Sequence, residues 1–338
     1  VILIAFFTNF VQEQTYPFTN FTLEKGLAQR QVLCVFQDNN GVIWFGTSGG
    51  GITKFDGNTY ETITDKHGLA DNVVFCMAND KEGRILIGTY NGLSVYDPRN
   101  KSSDTKQKIK NYTTQNGLSD NRIFSILLDE NNTAILGTAK GISTFKNNIC
   151  SKVKINDKLD SASVFNVFID SKKNFWYSTL GNGVFYYDKR NVKNYTTAEG
   201  LQNDMVFSVI QQGENVYWFL TGEGLFELNG DKLAQINPAN IGLSATYYRY
   251  FKDNNNVGWM GTTEGLIKFE PTGKILLFKK DNGIVDNSIW NIFQDKESNL
   301  WFSSDQNGAS KLSNERFFMY TTKDGLLYDE IKRLHQNK

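Results

Sequence analysis

A unit of about 42 residues recurs seven times along this chain of 338 residues, and no other feature constrains the fold as strongly. Each unit opens with Gly-Leu or a variant, reaches an aspartate about twelve residues later, and has an apolar anchor six residues after the aspartate, with Gly-Thr or a variant following. The anchors are Trp44, Leu86, Ile135, Trp176, Trp218, Trp259 and Trp301. The period predicts seven copies of one supersecondary unit.

Each unit contains four strand signals. In the first unit, residues 42–45 and 51–55 form the second and third, and a turn at Asp56-Gly57 leads to a more polar fourth strand that ends near Ile63. The first strand, seen in the second unit at residues 73–77, is almost continuously apolar, which indicates burial on both faces. Four antiparallel strands per unit predict an all-β, seven-bladed β-propeller.

The recurrent residues have structural interpretations. Tryptophans at a fixed phase predict packing between neighbouring blades. The recurrent aspartate predicts turn chemistry between the first two strands, and Gly-Thr predicts a close approach at the end of the second strand. The single spacing of 49 residues has a local cause, because residues 100–110 are polar and lack a strand pattern, as expected of a loop insertion.

The signal for a fourth, outer strand occurs eight times, whereas the signals for the first three strands of a unit occur seven times. Either the segment 16–23 closes the ring by pairing with the last blade, or the segment 317–322 does so, because both cannot occupy the same edge. The eight signals end at Phe21, Ile63, Tyr112, Val153, Tyr195, Ile236, Phe278 and Tyr320.

The termini predict three regions. Residues 1–14 begin with a short apolar run that is interpreted as the remnant of a signal peptide, with a buried N-terminal strand as the alternative. Residues 15–322 form the propeller. Residues 323–338 begin a further repeat with Gly325-Leu326, or form a linker to downstream domains. The expected location is periplasmic or otherwise extracytoplasmic.

Composition argues against several function classes. The 36 basic and 36 acidic residues cancel, so neither nucleic acid nor acidic lipid is expected as a partner. With only His67 and His335, no metal site or catalytic triad is expected, and no cofactor is expected in the absence of a Gly-rich phosphate loop. A propeller lyase with His67 as base is a minor alternative. Cys34, Cys76 and Cys150 are interpreted as free, buried thiols.

Binding is therefore the expected activity, and topology predicts its place. Loops that join the fourth strand to the next first strand emerge on the same face as loops that join the second and third strands, around the channel mouth. In unit six, Tyr247, Tyr248, Arg249 and Tyr250 follow one another and suit stacking on sugar rings. The candidate ligand-binding residues are Arg30, His67, Tyr90, Lys140, Asn182, Glu223, Tyr248, Arg249, Glu264 and Gln306.

A second group of residues recurs where each first strand begins. Its members are interpreted as caps of the preceding turn, with ligand contact as the alternative. They are Asn72, Asn121, Asp204 and Asn287.

The pattern GL-x-D-N-x-V, followed by D-x-x-G-x-x-W-x-G-T, resembles the two component regulator propeller family. Matching stretches lie at residues 38–51, 68–73 and 117–121. The resemblance spans residues 15–334 and implies the periplasmic sensor region of a hybrid histidine kinase, with an oligosaccharide or similar small ligand. It also implies a homodimer formed through downstream domains and a membrane connection through a downstream segment, with the kinase or other output domain beyond Lys338.

Two function classes remain open. One is the ligand sensor of a membrane receptor, and the other is a secreted or surface-attached propeller that serves as a scaffold for protein contacts. Neither requires catalysis by this chain.

Overall fold

The computed structural model describes residues 16–239 and 245–313. These residues form 28 strands in seven antiparallel sheets of four strands each, which confirms the predicted seven-bladed propeller. The first strand of each blade contacts the first strands of both neighbouring blades, and the contacts close into a ring. The seven inner strands therefore surround a central channel.

The blades are numbered in chain order. Blade 1 consists of β2 (Val32–Gln37), β3 (Ile43–Thr47), β4 (Ile52–Phe55) and β5 (Tyr60–Ile63). Blade 2 consists of β6 (Val74–Asn79), β7 (Ile85–Thr89), β8 (Gly92–Tyr96) and β9 (Ile109–Tyr112). Blade 3 consists of β10 (Ile123–Leu128), β11 (Ala134–Thr138), β12 (Ile142–Lys146) and β13 (Ile149–Val153).

The remaining blades follow the same order. Blade 4 consists of β14 (Val164–Ile169), β15 (Phe175–Thr179), β16 (Val184–Tyr187) and β17 (Val192–Tyr195). Blade 5 consists of β18 (Val206–Gly213), β19 (Val216–Thr221), β20 (Gly224–Asn229) and β21 (Lys232–Ile236). Blade 6 consists of β22 (Tyr247–Lys252), β23 (Gly258–Thr262), β24 (Leu266–Phe269) and β25 (Ile275–Phe278). Blade 7 consists of β26 (Ile289–Gln294), β27 (Leu300–Ser304), β28 (Ala309–Leu312) and the N-terminal β1 (Phe18–Phe21).

In residues 16–239 and 245–313, helical structure is confined to short segments between blades and in one insertion. The helix α1 spans Asp157–Ser161. The 3-10 helices span Leu23–Lys25, Asp65–His67, Thr105–Lys108, Thr114–Asn116, Thr197–Glu199 and Lys280–Asn282. Within the described residues, no helix has the length and apolar character needed to cross a bilayer.

The recurrent aspartate has two roles, one of which the sequence did not indicate. Asp38 Oδ1 accepts hydrogen bonds from the backbone N–H groups of Asn40 and Val42, which confirms the predicted turn chemistry. Its Oδ2 accepts a hydrogen bond from Trp44 Nε1 at 3.1 Å. The same indole-to-carboxylate bond occurs in blades 4, 6 and 7. The spacing of six residues therefore places each carboxylate under the indole N–H of its own blade.

The anchors pack against the next blade, as predicted. Trp176 is 2% exposed, and its ring centroid lies 4.3 Å from that of Tyr217 in blade 5. Trp44 contacts Tyr96 of blade 2, with centroids 5.3 Å apart. The anchor tryptophans thus belong to the interfaces between blades and do not form a ligand platform.

The glycine of the Gly-Thr pair permits close approach between blades. A Cβ atom added to Gly46 would lie 2.5 Å from Cys34 Sγ and 2.8 Å from Val74 Cγ1 of blade 2. Both distances are shorter than van der Waals contact, so a larger residue here requires the neighbouring blade to move.

The N-terminal strand closes the ring. β1 pairs antiparallel with β28, from Phe18 opposite Leu312 to Phe21 opposite Ala309. Of the two predicted closing segments, 16–23 therefore completes blade 7 in the described structure. The segment 317–322, the interpreted signal peptide and the start of a further repeat all lie outside the described residues.

The predicted ends of the outer strands are confirmed at every described position, from Phe21 in β1 to Phe278 in β25. The predicted loop insertion at residues 100–110 needs correction. Its second half contains the 3-10 helix Thr105–Lys108, and Ile109 and Lys110 already belong to β9, where they pair with Tyr96 and Val95. The strand that ends at Tyr112 is as predicted, but it begins at Ile109, so the insertion ends two residues earlier than the sequence indicates.

Candidate functional site

The face that carries the predicted binding loops is held by a repeated network of hydrogen bonds. Asn72 Oδ1 accepts a hydrogen bond from the backbone N–H of Asp65 at 2.8 Å, and Asn121 caps Thr114 in the same way. Asp204 and Asn287 cap Thr197 and Lys280. The prediction that this group caps turns is therefore confirmed.

The same loops are tied to the preceding blade. The backbone carbonyl of Asn72 accepts hydrogen bonds from the N–H groups of Gly49 and Gly51 in the loop between β3 and β4. The carbonyl of Asp204 does the same for Gly181 and Gly183. These backbone hydrogen bonds fix the loops to each other, and the side chains on this face project from the loops so fixed.

The sequence-predicted site residues fall into two groups. Eight lie on the loops of this face and are exposed or half-buried, and several contact neighbours within the same surface. Glu264 lies 3.7 Å from Lys279, Glu223 accepts a hydrogen bond from Asn203, and Tyr90 packs near Arg122. The eight are Arg30, His67, Tyr90, Lys140, Asn182, Glu223, Glu264 and Gln306.

His67 has a local structural role. It ends the 3-10 helix Asp65–His67, and its Nδ1 accepts a hydrogen bond from the backbone N–H of Thr64 at 3.1 Å. The Thr64 Oγ1 atom lies 3.0 Å from the same nitrogen. A ring nitrogen used in this capping box is not free to act as a base.

Arg30 borders a groove beside the closing strand. It forms an ion pair with Glu24 at 3.2 Å, with both side chains mostly exposed. The groove has a volume of about 450 Å³, and Lys280 and Asn307 also line it. Exposed pairs of this kind contribute little to stability, and the groove lies away from the channel.

Tyr248 and Arg249 are the two predicted residues that the fold brings together in the channel. Both line a central cavity of about 540 Å³. The adjacent Tyr247 points instead into the core and is 1% exposed, and Tyr250 packs against Trp218 of blade 5 with ring centroids 6.0 Å apart. Tyr250 also lines the cavity, so of the run of four residues only Tyr247 is excluded from ligand contact.

A β-bulge explains why Tyr248 faces the channel. In β22, Tyr247 pairs with Thr262 but Arg249 pairs with Gly261, so Tyr248 is an extra residue without a partner across the pair. The same shift occurs near the start of all seven inner strands. A bulge re-aims its extra residue, and here that residue lines the cavity in every blade.

The seven bulged residues form what we call the aromatic collar of the channel. Each is the second residue of its inner strand, so the collar lies at the end of the channel that opens on the loop face. Tyr248 and Trp290 are stacked, with ring centroids 4.4 Å apart and planes at 15°, and Phe207 meets both edge to face. The collar consists of Leu33, Phe75, Phe124, Phe165, Phe207, Tyr248 and Trp290.

One residue deeper along each inner strand lies a second layer, here called the polar ring. Arg249 is the only charged member, and desolvation by the channel wall lowers the pKa of its guanidinium from the ordinary value. The group remains protonated at neutral pH because an arginine begins from a very high pKa. The polar ring consists of Cys34, Cys76, Ser125, Asn166, Ser208, Arg249 and Asn291.

The charge of the cavity is one-sided. Its described lining residues include Arg249 and Lys252 but neither an aspartate nor a glutamate. Burial also raises the pKa of Tyr248, so its hydroxyl stays neutral at physiological pH. Among the described residues no group of histidine, cysteine and acidic side chains is arranged to hold a metal ion.

Sequence reasoning did not identify five of the six aromatic collar residues. The sequence pattern places residues such as Phe75 and Phe124 within apolar first strands, and an extra residue in such a strand leaves no mark on an almost continuously apolar pattern. One sequence feature could have identified them. In every unit an aromatic residue or leucine stands immediately before the residue that belongs to the polar ring.

Three segments of the chain match the Two component regulator propeller model, at residues 26–49, 68–91 and 283–306. Each begins at the glycine that opens a unit and ends in the loop between the second and third strands. A search of curated proteins found no match.

Solved structures share the architecture. The extracellular domain assigned to a hybrid two component system from B. thetaiotaomicron is 19% identical, with a TM-score of 0.72 over 88% of this chain and 42% of that one. A domain assigned to a one component system from the same organism is 22% identical, with a TM-score of 0.69 over 89% of this chain and 40% of that one. The chain thus spans about two-fifths of the length of these two extracellular domains.

A virginiamycin B lyase from Staphylococcus aureus, in a catalytically inactive form with quinupristin, is 13% identical, with a TM-score of 0.66 over 88% of this chain and 99% of that one. At these identities the likeness concerns the fold, whereas the matched repeats concern the sequence family. The chain is a seven-bladed β-propeller in which three of the seven units contain a segment that matches the two component regulator propeller model.

Proposed function

We propose that this propeller is the ligand-sensing part of an extracytoplasmic, membrane-anchored two-component sensor, and that it binds an oligosaccharide or similar small ligand. The observation that carries the proposal is the channel mouth, where a half-buried aromatic collar stands above a polar ring in a cavity of about 540 Å³. That size and mixture of apolar walls with a few polar groups suit a small-molecule site.

The repeats and the relatives support the sensing role. Matched repeats are of the two component regulator propeller type, and two similar solved structures are extracellular domains of signalling systems. On this proposal the chain works by binding, and the membrane segment and output domain belong to the rest of a longer protein. Dimer rearrangement would then carry the signal across the membrane.

Pyranose rings fit the aromatic collar chemically. Their axial C–H groups form apolar faces that pack on aromatic rings, while their hydroxyl groups need hydrogen-bond partners at the rim. Asn166 and Asn291 of the polar ring and the loop residues Asn182, Glu223 and Gln306 supply such partners on the same side of the molecule.

Thermal unfolding of the 338-residue chain in the presence of a panel of glycan oligosaccharides tests the proposal. A ligand at about 100 times its Kd should add roughly 2.7 kcal/mol to the free energy of unfolding. Phe165→Ala should remove this gain, because it opens the collar. Ile149→Ala, at a position that is 66% exposed on outer strand β13, is the matched control and should retain the gain.

The competing functions give different results. A gain that survives Phe165→Ala places the ligand elsewhere on the loop face. No gain with any sugar, together with stable binding of a secreted protein, favours the scaffold. Turnover of quinupristin that is lost on His67→Ala favours a lyase and contradicts the conclusion that His67 is not free to act as a base.

A further inference from the structure

The polar ring is chemically different on its two sides. Blades 1 to 3 contribute Cys34, Cys76 and Ser125, which are small and direct their side chains toward the next blade. The Sγ atoms of Cys34 and Cys76 lie 3.9 Å from the carbonyl oxygens of Val74 and Ile123. Blades 4, 6 and 7 contribute the longer polar groups Asn166, Arg249 and Asn291, whereas blade 5 between them contributes the small Ser208. The polar side chains that are long enough to contact a ligand in the channel therefore lie on one side of the ring.

Arg249 is the unusual member of this side. Among the described residues, its guanidinium has neither a hydrogen bond nor an ion pair with an acidic side chain. Arg84 shows the ordinary arrangement for a buried arginine, because its Nε lies 2.6 Å from Asp80 Oδ2 and its Nη1 donates to Asn148. Arg249 is half-buried, so part of its guanidinium can still reach water in the channel. A partly desolvated cation without a counter-charge nevertheless costs free energy, and its position therefore suits an anionic partner.

The cavity around Arg249 has no internal candidate for that partner. Its described lining residues contain no carboxylate, and the second cation, Lys252, lies three residues further along β22. One residue nearer the loop face in the same strand is Tyr248, whose ring is stacked on that of Trp290. A ligand that enters from the loop face therefore meets aromatic surface first and positive charge second.

We propose that the channel mouth binds a small organic carboxylate, whose carbon skeleton packs within the aromatic collar while its carboxylate pairs with Arg249. The guanidinium offers a planar fork of donors that matches a carboxylate. This inference rests on the proposed sensing function and narrows its ligand to an acidic sugar. Such a ligand would be a uronic acid or a short oligosaccharide that ends in one. Asn166 and Asn291 would then contact ring hydroxyls.

The experiment compares acidic sugars with their neutral counterparts. Titration calorimetry on the 338-residue chain would use glucuronate, galacturonate and their di- and trisaccharides, against glucose, galactose and the corresponding neutral oligosaccharides. We expect the acidic member of each pair to bind on the order of 10- to 100-fold more tightly, the usual effect of one charge-assisted contact.

Arg249→Gln should abolish this preference, and Arg249→Lys should restore part of it, because lysine retains the charge but not the fork. Lys152→Gln removes an exposed cation from the outer strand β13, far from the channel, and should retain the preference. This control separates an ion pair between Arg249 and the ligand from a general effect of net charge. The melting temperature of Arg249→Gln without ligand should equal or exceed that of the unsubstituted chain, because the substitution removes an unpaired charge.

The other outcomes overturn the inference in distinguishable ways. Equal affinity for acidic and neutral sugars, unchanged in Arg249→Gln, rejects the carboxylate partner but leaves the proposed sensing function standing. An acid preference that Lys152→Gln also removes assigns the effect to net charge and rejects the pairing. Binding of no sugar of either kind to a folded chain rejects both the inference and the proposed function.

Discussion

The indole N–H of Trp44 donates a hydrogen bond of 3.1 Å to Asp38, and the other oxygen of the same carboxylate caps the turn that joins β2 to β3. One aspartate thus fixes a turn and orients the ring that packs on the next blade. In blade 2, where the anchor is Leu86, the second oxygen of Asp80 instead accepts a hydrogen bond from Arg84. Blade 5 has Gln212 in place of aspartate, and the indole N–H of Trp218 donates a hydrogen bond to Glu227 instead.

Trp44→Phe should lower the free energy of unfolding by about 1–3 kcal/mol, because it leaves a buried carboxylate oxygen of Asp38 without its donor. Trp290→Phe is the matched control. The Nε1 of Trp290 is buried without an acceptor, so its removal should cost less than about 1 kcal/mol. Urea denaturation measures both, and equal losses in the two variants would contradict the assigned role of the indole bond.

Protonation of Asp170 at low pH should lower the free energy of unfolding. Burial raises the pKa of this carboxyl, but hydrogen bonds from Asn174, Trp176 and Tyr217 outweigh burial and leave the pKa lowered. A carboxyl with a lowered folded-state pKa stabilises fully above the ordinary value of about 4 and loses that contribution as the pH falls through the folded value.

Denaturation of the unsubstituted chain and Asp170→Asn between pH 7 and pH 3 tests this. The unsubstituted chain should be more stable at pH 7, and the difference should shrink below about pH 4. A difference that stays constant over this range would show that the charge of Asp170 is not linked to folding. Asp56→Asn is unsuitable as a control, because the pKa of this exposed carboxyl is also lowered, to about 2, by backbone hydrogen bonds from Thr59 and Asn58.

Removal of residues 1–22 should destabilise the ring, because it deletes β1 and leaves β28 as an open edge. We expect a lower urea midpoint and concentration-dependent association in size-exclusion chromatography. Removal of residues 1–15 should change neither, since β1 remains. If the longer truncation is as stable and as monomeric as the shorter one, another segment closes blade 7.

A side-chain substitution tests the same closure without shortening the chain. Phe21 is 6% exposed, and its ring centroid lies 5.0 Å from that of Trp301 and 5.7 Å from that of Phe45. It therefore joins blade 7 to blade 1. Phe21→Ala should cost about 3–5 kcal/mol, as for other large-to-small substitutions in a core. A loss below 1 kcal/mol would show that this junction is not packed as described.

The three cysteines should react slowly in the folded chain. Burial raises the pKa of Cys34 to about 12 and that of Cys150 to about 11, and it also raises the pKa of Cys76. Little thiolate is then present at pH 8, and thiolate is the reactive form. Iodoacetamide labelling followed by mass spectrometry should be slow in buffer and fast in urea. Rapid labelling of Cys34 in buffer would contradict its burial.

Sequence periodicity determined the blade count, the four strands per blade and the ends of the outer strands. These features are local: a strand needs alternating or continuous apolar residues, a turn needs Asp, Asn or Gly, and both recur with the unit. The caps by Asn72 and its equivalents were predictable for the same reason, because a cap and its turn lie within seven residues of each other.

Only the tertiary structure decided how the ring closes and what faces the channel. The pairing of β1 with β28 joins residues about 290 positions apart, and the sequence offered two segments with the same pattern. The aromatic collar depends on one extra residue in each inner strand, and the unpaired guanidinium of Arg249 depends on which neighbours seven separate strands bring to one axis. Such contacts arise from packing between distant segments, which no local pattern encodes.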